Sequence, residues 1–352
     1  MRLTQRIKAF AHLGNFLKQF REDCIDKQND VLHNERFFED FKQLLHQAEI
    51  HNAWFTQKNI GFACEQWASL LTIEKLENWT NNYDLDLNSP KTVAIIMAGN
   101  IPMVGFHDFL SVLLSGHSVI LKQSSNDKLL LPFLTKYLIA VESCFENKIF
   151  FTQERLNNFD AVIATGSTNT ARYFDYYFGK HPNIIRKNRN SVAILKGDET
   201  PEQLRSLGED IFRYFGLGCR NVSKLFVPQG YNFDLFFNAI YEWKDVIEKN
   251  KYANNYDYNK AVYLMSLFDI LENGFLMLKE DTSYGSPIAT IFYEYYENEE
   301  TLTKKLESDS SSIQCIVSDS FGSVSIPFGE TQKPALMDYA DGIDTLTFLS
   351  KL

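Results

Sequence analysis

At 352 residues the chain is long enough for about two domains, each able to bury its own core without help from metals or disulfides. Its formal net charge of −10 argues against broad electrostatic capture of nucleic acid or anionic lipid. The five cysteines, at 24, 64, 144, 219 and 315, make no C-x-x-C pair and no zinc-like spacing with histidine, so they read as reduced thiols of a cytoplasmic protein with no metal site.

The opening MRLTQRIKAFAHLGNFLKQF is basic, but Lys8 and Lys18 break any apolar stretch long enough for a signal peptide or a membrane span, so a soluble, unexported chain is expected. Leu3, Ile7, Phe10 and Leu17 recur at helical spacing, and similar patterns over 35–49 and 60–79 predict a helical layer for residues 1–87. The apolar face of the first helix suits packing against the body of the protein, or contact with a membrane or an acyl chain. The 29 phenylalanines and 17 tyrosines suit a thick core, and equally an apolar tunnel. Turn formers in NNYDLDLNSP place a boundary near residue 88.

From there the pattern alternates: strand VAIIMAG, a helix over 106–116, strand SVILK, a helix over 128–145, and strand AVIAT running into a Gly-Ser-Thr turn and another helix. SVAIL follows, then a helix with Thr200 as N-cap, Pro201 at its first position and Gln203 completing a capping box. Fully apolar strands alternating with helices imply an α/β fold with a doubly wound parallel sheet, and by shape alone a dinucleotide-binding domain at 88–216. Gly216 is read as the end of that helix. A second, smaller α/β domain is expected over 217–325, with a helix over 233–248 and apolar runs AVYLMSLF, IATIFYEY and IQCIV; the turn-rich stretch 326–352 is expected to return to the first domain.

Several residues in this frame admit both a structural and a chemical reading. Cys219, between Gly218 and Arg220, is either an ordinary small apolar residue or a thiolate favoured by the neighbouring guanidinium. Asn100 in AGNIP is a turn former or an amide donor to a developing oxyanion. Gly166, Ser167 and Thr168 form a simple capped turn or a cradle of backbone N–H groups for a pyrophosphate. Lys122 ends a strand and is followed by Gln123, Ser124 and Ser125; a turn without a carboxylate accepts a 2′-phosphate, although Ser125 suits a helix N-cap as well. Arg186, Lys187 and Arg189 read as a solvated turn rather than a phosphate clamp. The other four cysteines are read as structural.

In order, GNIP, HSVILKQSS, FDAVIATGSTNTAR, GLGCRNVSKLFVP and IPFGE resemble the aldehyde dehydrogenase superfamily, and within it the acyl-CoA reductase (LuxC) family of bacterial luminescence, from about residue 88 to the end. The resemblance implies an aldehyde dehydrogenase-like fold with a cofactor domain and a catalytic domain. It makes Cys219 the nucleophile and Asn100 an oxyanion donor, with the Cys219 N–H as a second donor. It also assigns Lys122, Ser124, Ser125, Gly166, Ser167, Thr168 and Phe328 to cofactor binding.

The implied activity is reduction of a fatty acyl-CoA or other acyl thioester to an aldehyde, with NADPH (or NADH) as reductant and coenzyme A as leaving group, in a homodimer or homotetramer. Two departures from the family pattern matter. IIRKNRNS stands where hydrolytic members carry the Glu-Leu-Gly-Gly glutamate that activates water, and Thr282 stands at the carboxylate position of Glu-x-Phe-Gly-Pro. Without a base, a Cys219 thioester exchanges with thiols or accepts hydride rather than hydrolysing. Two other classes remain: an acyl transferase or carrier that uses the same cysteine without a nicotinamide, and a non-catalytic scaffold.

Overall fold

The computed structural model describes every residue except 86–88, 320 and 323–324, and excludes the side chain of Thr168; the expected boundary near residue 88 therefore lies outside the described residues. The chain divides into two compact units, Met1–Lys187 with Ala335–Leu352, and Asn188–Pro334.

The first unit opens with four helices, α1 (Leu3–Leu17), α2 (Asn34–His51), α3 (Gln57–Leu70) and α4 (Ile73–Thr80), the last two dividing the single stretch expected over 60–79. Thr56 and Thr72 cap α3 and α4 by accepting the backbone N–H of Asn59 and Lys75. The apolar face of α1 faces protein: α1 lies against α3, α4, α5 and α6 (the last two defined below), and Phe10, Phe16 and Leu17 are fully buried. Phe16 stacks on Tyr137 with ring centroids 4.3 Å apart, and Phe10 meets Phe106 and Phe109 edge-on. Each fully buried ring of this cluster contributes about 2 kcal/mol of apolar transfer energy.

The sheet beneath these helices comprises β1 (Thr92–Ile96), β2 (Ser118–Lys122), β3 (Ile149–Phe151), β4 (Ala161–Thr165) and β5 (Asn183–Arg186), all parallel in the order β3-β2-β1-β4-β5. Helices α5 (Phe106–Leu114), α6 (Leu130–Val141) and α7 (Thr168–Phe178) are the crossovers. The strands are short and apolar because both faces are covered. Ala94, Val162 and Ala164 are fully buried beneath Phe174 and Phe178 of α7. In this order the chain moves from β1 to β2 and β3 on one side, then crosses back from β3 to β4 and β5 on the other side of β1. The carboxyl ends of β1 and β4 therefore flank the switch point at which open α/β sheets bind ligands.

The second unit has its own sheet: β6 (Asn190–Ile194), β7 (Val222–Pro228), β8 (Ile270–Glu272), β9 (Met277–Glu280), β10 (Thr290–Tyr296) and β11 (Ile313–Val317), in the order β11-β6-β7-β10-β9-β8. Only the β8–β9 pair is antiparallel. Its helices are α8 (Pro201–Phe212), α9 (Phe233–Ala239), α10 (Asn250–Met265) and α11 (Glu299–Ser308). The capping box of Thr200 and Gln203 starts α8 as the sequence predicts.

Several expectations change here. β6 pairs with β7 through Ser191↔Val222 and Ile194↔Phe226, so β6 and α8 belong to the second unit, which starts at Asn188 and not at 217. The return to the first unit begins at Ala335 and not at 326, because Ile326 bridges Val317 and the chain through Thr331 is bonded into the second unit. The first residues of the apolar run AVYLMSLF continue α10, whose buried Tyr252, Tyr256, Asn259 and Tyr263 follow helical spacing. In addition α8 stops at Phe212, before Gly216, and the expected 233–248 helix divides into α9 and a 3-10 stretch, Ile240–Glu248.

Candidate active site

The loop into β7 carries Cys219, and hydrogen bonds hold its backbone on both sides. Past α8 the chain turns through Tyr214, Phe215 and Gly216, all at positive φ (55°, 59° and 75°). Two consecutive non-glycine residues in that region cost energy that surrounding contacts must offset. Tyr214 and Phe215 are both buried.

Asn221, only 2% exposed, is the main clamp: Oδ1 accepts the Gly218 N–H at 2.8 Å, while Nδ2 donates to the carbonyls of Asp210 and Arg213 at 3.0 and 2.8 Å. Ser191 Oγ donates to the Cys219 carbonyl at 2.9 Å, and Arg220 Nε donates to the Thr331 carbonyl at 2.7 Å. The backbone is fixed and the thiol side chain is exposed.

The other cysteines differ. Cys64 and Cys315 are buried, and burial pushes the Cys64 thiol far up. Cys144 is exposed, but Glu142 pushes its thiol up. Cys24 is exposed on the loop after α1.

Beneath the Cys219 loop, Asp210 of α8 is fully buried and accepts three hydrogen bonds, from the N–H of Gly329 at 2.6 Å, the N–H of Thr331 at 3.0 Å and the Thr331 hydroxyl at 2.7 Å. Burial raises its carboxyl to about 6, against the pull of those donors. Nothing in the sequence marks this residue except its place on the inner face of α8. Phe328, buried at 8% exposure, donates its N–H to Asp319 at 3.2 Å. Asp210 thus holds the Pro-Phe-Gly segment, whose Thr331 in turn holds Arg220.

The exposed Thr282 lies in a segment organised by Lys224, a second residue that sequence reasoning missed. The Lys224 ammonium, fully buried, donates to the carbonyls of Asp281 and Thr282 at 3.1 and 2.9 Å and to Glu294 at 2.6 Å.

In the first unit the remaining candidates gather at one edge. Asn100 lies on the loop after β1, Lys122, Ser124 and Ser125 at and after the end of β2, and Gly166, Ser167 and Thr168 after β4. Since β2, β1 and β4 are parallel neighbours, these three loops share the carboxyl edge of the sheet. Asn100 is half-buried.

Lys122 Nζ donates to the Glu154 carbonyl at 3.0 Å. Ser125 is exposed and caps no helix, because α6 begins at Leu130. Ser167 caps α7, its Oγ accepting the Thr170 N–H at 3.2 Å. Gly166 has little room for a side chain, since a Cβ would come within 3.0–3.1 Å of Phe174 and Thr170. Thr168 starts α7, and its side chain lies outside the described residues.

Arg186 is not part of a solvated turn. It is 5% exposed, pairs with the buried Asp108 at 2.5 Å, and donates to Thr345 Oγ1 of the final helix, Thr345–Ser350, at 3.1 Å. No carboxylate occurs in 184–191. Among the described residues no group of three or more His, Cys, Asp or Glu side chains is placed to hold a metal ion, and no helix is long and apolar enough to cross a membrane.

Comparison with solved structures places this architecture. The chain is similar to aldehyde dehydrogenase 21 from Physcomitrella patens, solved with its product succinate, with TM-score 0.63 and 13% identity over 91% of this chain and 74% of that one. It is similar to an indole-3-acetaldehyde dehydrogenase of P. syringae, solved with NAD+ and IAA, with TM-score 0.59 and 14% identity over 89% and 70%. An E. coli NADP dependent enzyme matches with TM-score 0.57 and 13% identity over 86% and 70%. At these identities the likeness concerns the fold, and the fold is that of the aldehyde dehydrogenases. More narrowly, the model of the acyl-CoA reductase (LuxC) family matches residues 24–235, and the chain belongs to that family. The match begins well before residue 88, inside the helical layer. A long-chain acyl-protein thioester reductase of Aliivibrio fischeri is 24% identical over 236 residues, covering 60% of this chain and 47% of that protein, so the chain spans about half the length of this curated relative.

Proposed function

We propose that the chain reduces an acyl thioester, carried on coenzyme A or on a protein, to the aldehyde through an acyl group bound to Cys219. The observation that carries this reading is the exposed thiol on a loop whose backbone is held by Asn221, Ser191 and Arg220. Such a loop presents the sulfur without a change of backbone, and the adjacent guanidinium favours the thiolate. Membership of the acyl-CoA reductase family and the likeness to an acyl-protein thioester reductase support the choice of substrate.

The chemistry assigned to the chain follows from these groups. The Cys219 thiolate forms a bond to the acyl carbon, the carbon–sulfur bond of the incoming thioester breaks, and the departing thiolate takes up a proton. The amide of Asn100 and the N–H of Cys219 donate to the oxyanion formed in that step. The absence of a carboxylate in 184–191 leaves no base there to activate water, so the acyl group persists on sulfur.

The carboxyl edge of the first sheet fits a nicotinamide dinucleotide. No acidic side chain stands between Lys122 and Ser125, and Asp127, which closes the turn, accepts the Met103 N–H; this arrangement supports the extra phosphate of NADPH over NADH, and the Gly166–Ser167 turn leads into the N-terminus of α7, a position that suits a pyrophosphate. Phe328 is assigned to the same cofactor. When bound, the reduced nicotinamide supplies the hydride that converts the acyl carbon to an aldehyde. A homodimer or homotetramer is part of the proposal, supported by exposed Tyr258, Leu264, Met265, Leu267 and Phe268 around the end of α10, near the edge strand β8. A cytoplasmic setting is also part of the proposal, in keeping with cysteines read as reduced thiols.

The test is aldehyde formation from fatty acyl-CoA and NADPH, with Cys219→Ala as control. Aldehyde from wild type and none from the variant supports the proposal. Acyl transfer to a thiol acceptor with no cofactor consumed would move the chain to the acyl transferases.

A further inference from the structure

The loop that bears Asn100 and the turn that bears Lys122, Ser124 and Ser125 meet directly. At Gly99 a Cβ would lie 2.6 Å from both Cβ and Oγ of Ser124 and 3.3 Å from the Asp127 nitrogen, so only glycine lets the two backbones approach this closely. Beyond Asn100 the chain bends at Met103, a buried non-glycine residue at φ +56°. A conformation of that kind persists only where neighbouring groups hold it. Asp127 supplies one such hold, with Oδ2 accepting the Met103 N–H at 3.3 Å.

Asp127 is itself fixed. Its carbonyl accepts Gln123 Nε2 at 3.0 Å and its N–H donates to the Ser124 carbonyl at 3.3 Å. The turn is anchored from outside by His51 Nε2 on the Ser125 carbonyl at 2.9 Å and Asn52 Nδ2 on the Asn126 carbonyl at 3.3 Å. Met97, Met103, Gly105, Gln123 and Asp127 line the small space, about 10 Å³, where loop and turn close on each other.

Resting on the function proposed above, we infer that Asp127 is a positioning residue for Asn100: its carboxylate fixes the bend at Met103 and so holds the oxyanion donor in register with the Lys122–Ser125 turn. Asp127 touches neither substrate nor cofactor in this account and acts only through the loop.

The experiment is a double-mutant cycle on a reaction that needs no cofactor, the acylation of Cys219 by a fatty acyl-CoA, followed by intact-protein mass. Asn100→Ala is expected to slow acylation about a hundredfold, and Asp127→Ala about tenfold or more, because the donor is displaced rather than removed. In the Asn100→Ala background, Asp127→Ala should cost less than about twofold, since the group it positions is gone. Asp127→Asn keeps an acceptor for the Met103 N–H and should stay within about threefold of wild type. A generally loosened fold would instead lose the same factor in both backgrounds; that additive result, or Asp127→Ala at the wild-type rate, overturns the inference. A wild type that is never acylated, or an Asn100→Ala variant as fast as wild type, overturns the underlying assignment of Cys219 or Asn100, and this inference with it.

Discussion

Arg220 donates from Nε to the carbonyl oxygen of Thr331 at 2.7 Å, which ties the residue after Cys219 to a chain segment 111 residues later. The same Thr331 hangs from the buried carboxylate of Asp210. The loop that presents the sulfur is thus supported from α8 and from the Pro-Phe-Gly segment at once.

Arg220 makes a directed bond to Thr331, and the proposed function gives it a second, separable part as the charged chain neighbour of Cys219. Arg220→Lys keeps the charge and loses the planar fork, while Arg220→Ala loses both. Alkylation of Cys219 by iodoacetamide at neutral pH should slow about tenfold in Arg220→Ala and less in Arg220→Lys. Equal rates in all three proteins would show that the guanidinium does not tune the thiol.

Asp210→Ala removes the acceptor of three buried donors and should destabilise the second unit by about 3–5 kcal/mol, read from urea unfolding. The same residue sets a pH dependence. Burial holds its carboxyl up at about 6 from an ordinary 3.8, so the folded state binds the proton more tightly than the unfolded chain. Its contribution to stability is full below about pH 4 and is lost as pH rises through about 6. Asp127, also raised to about 6, acts over the same window. Asp210→Asn should flatten part of the fall in unfolding free energy between pH 4 and 6, and an unchanged profile would contradict this.

Breaking the Arg186–Asp108 pair should cost more than any exposed ion pair, because each side chain is left charged in the interior. Asp108→Ala or Arg186→Met alone should lose about 3–5 kcal/mol, whereas replacing both with apolar residues should recover much of it. The surface pair Lys304–Glu300 provides the contrast, with an expected effect of about 0.5 kcal/mol or less.

Lys122→Ala should separate the cofactors. Loss of one charged contact to a 2′-phosphate raises the NADPH KM about tenfold or more and leaves NADH nearly unchanged. A parallel rise for both cofactors would assign Lys122 to a part of the dinucleotide that the two share.

The sequence makes some of this arrangement legible and conceals the rest for physical reasons. Local signals translate directly: the capping box at Thr200, the apolar stripe of α1, and the apolar strands at VAIIM, SVILK and AVIAT all appear where composition and spacing put them. Pairing between strands has no local signature. SVAIL follows the first sheet after only the short stretch KNR, yet β6 hydrogen-bonds to β7 in the second sheet, and the boundary moves with it. Buried polar groups are concealed for the same reason. Asp210, Lys224 and Arg186 look like ordinary charged positions until partners distant in the chain surround them, and Arg186 read as part of a basic surface run pairs in the interior with Asp108, 78 residues earlier. Gly218, Arg220 and the order of motifs single out Cys219 as the candidate, while the clamp of Asn221 and Ser191 on its backbone has no mark in the sequence.

The whole account depends on a covalent acyl group at one sulfur. Incubation of the protein with a fatty acyl-CoA in the absence of nicotinamide, followed by intact-mass measurement and peptide mapping, should give one acyl group per chain, on Cys219, that is discharged as aldehyde when NADPH is added. An unmodified protein, or an acyl group mapped to Cys24 or Cys144, would contradict it.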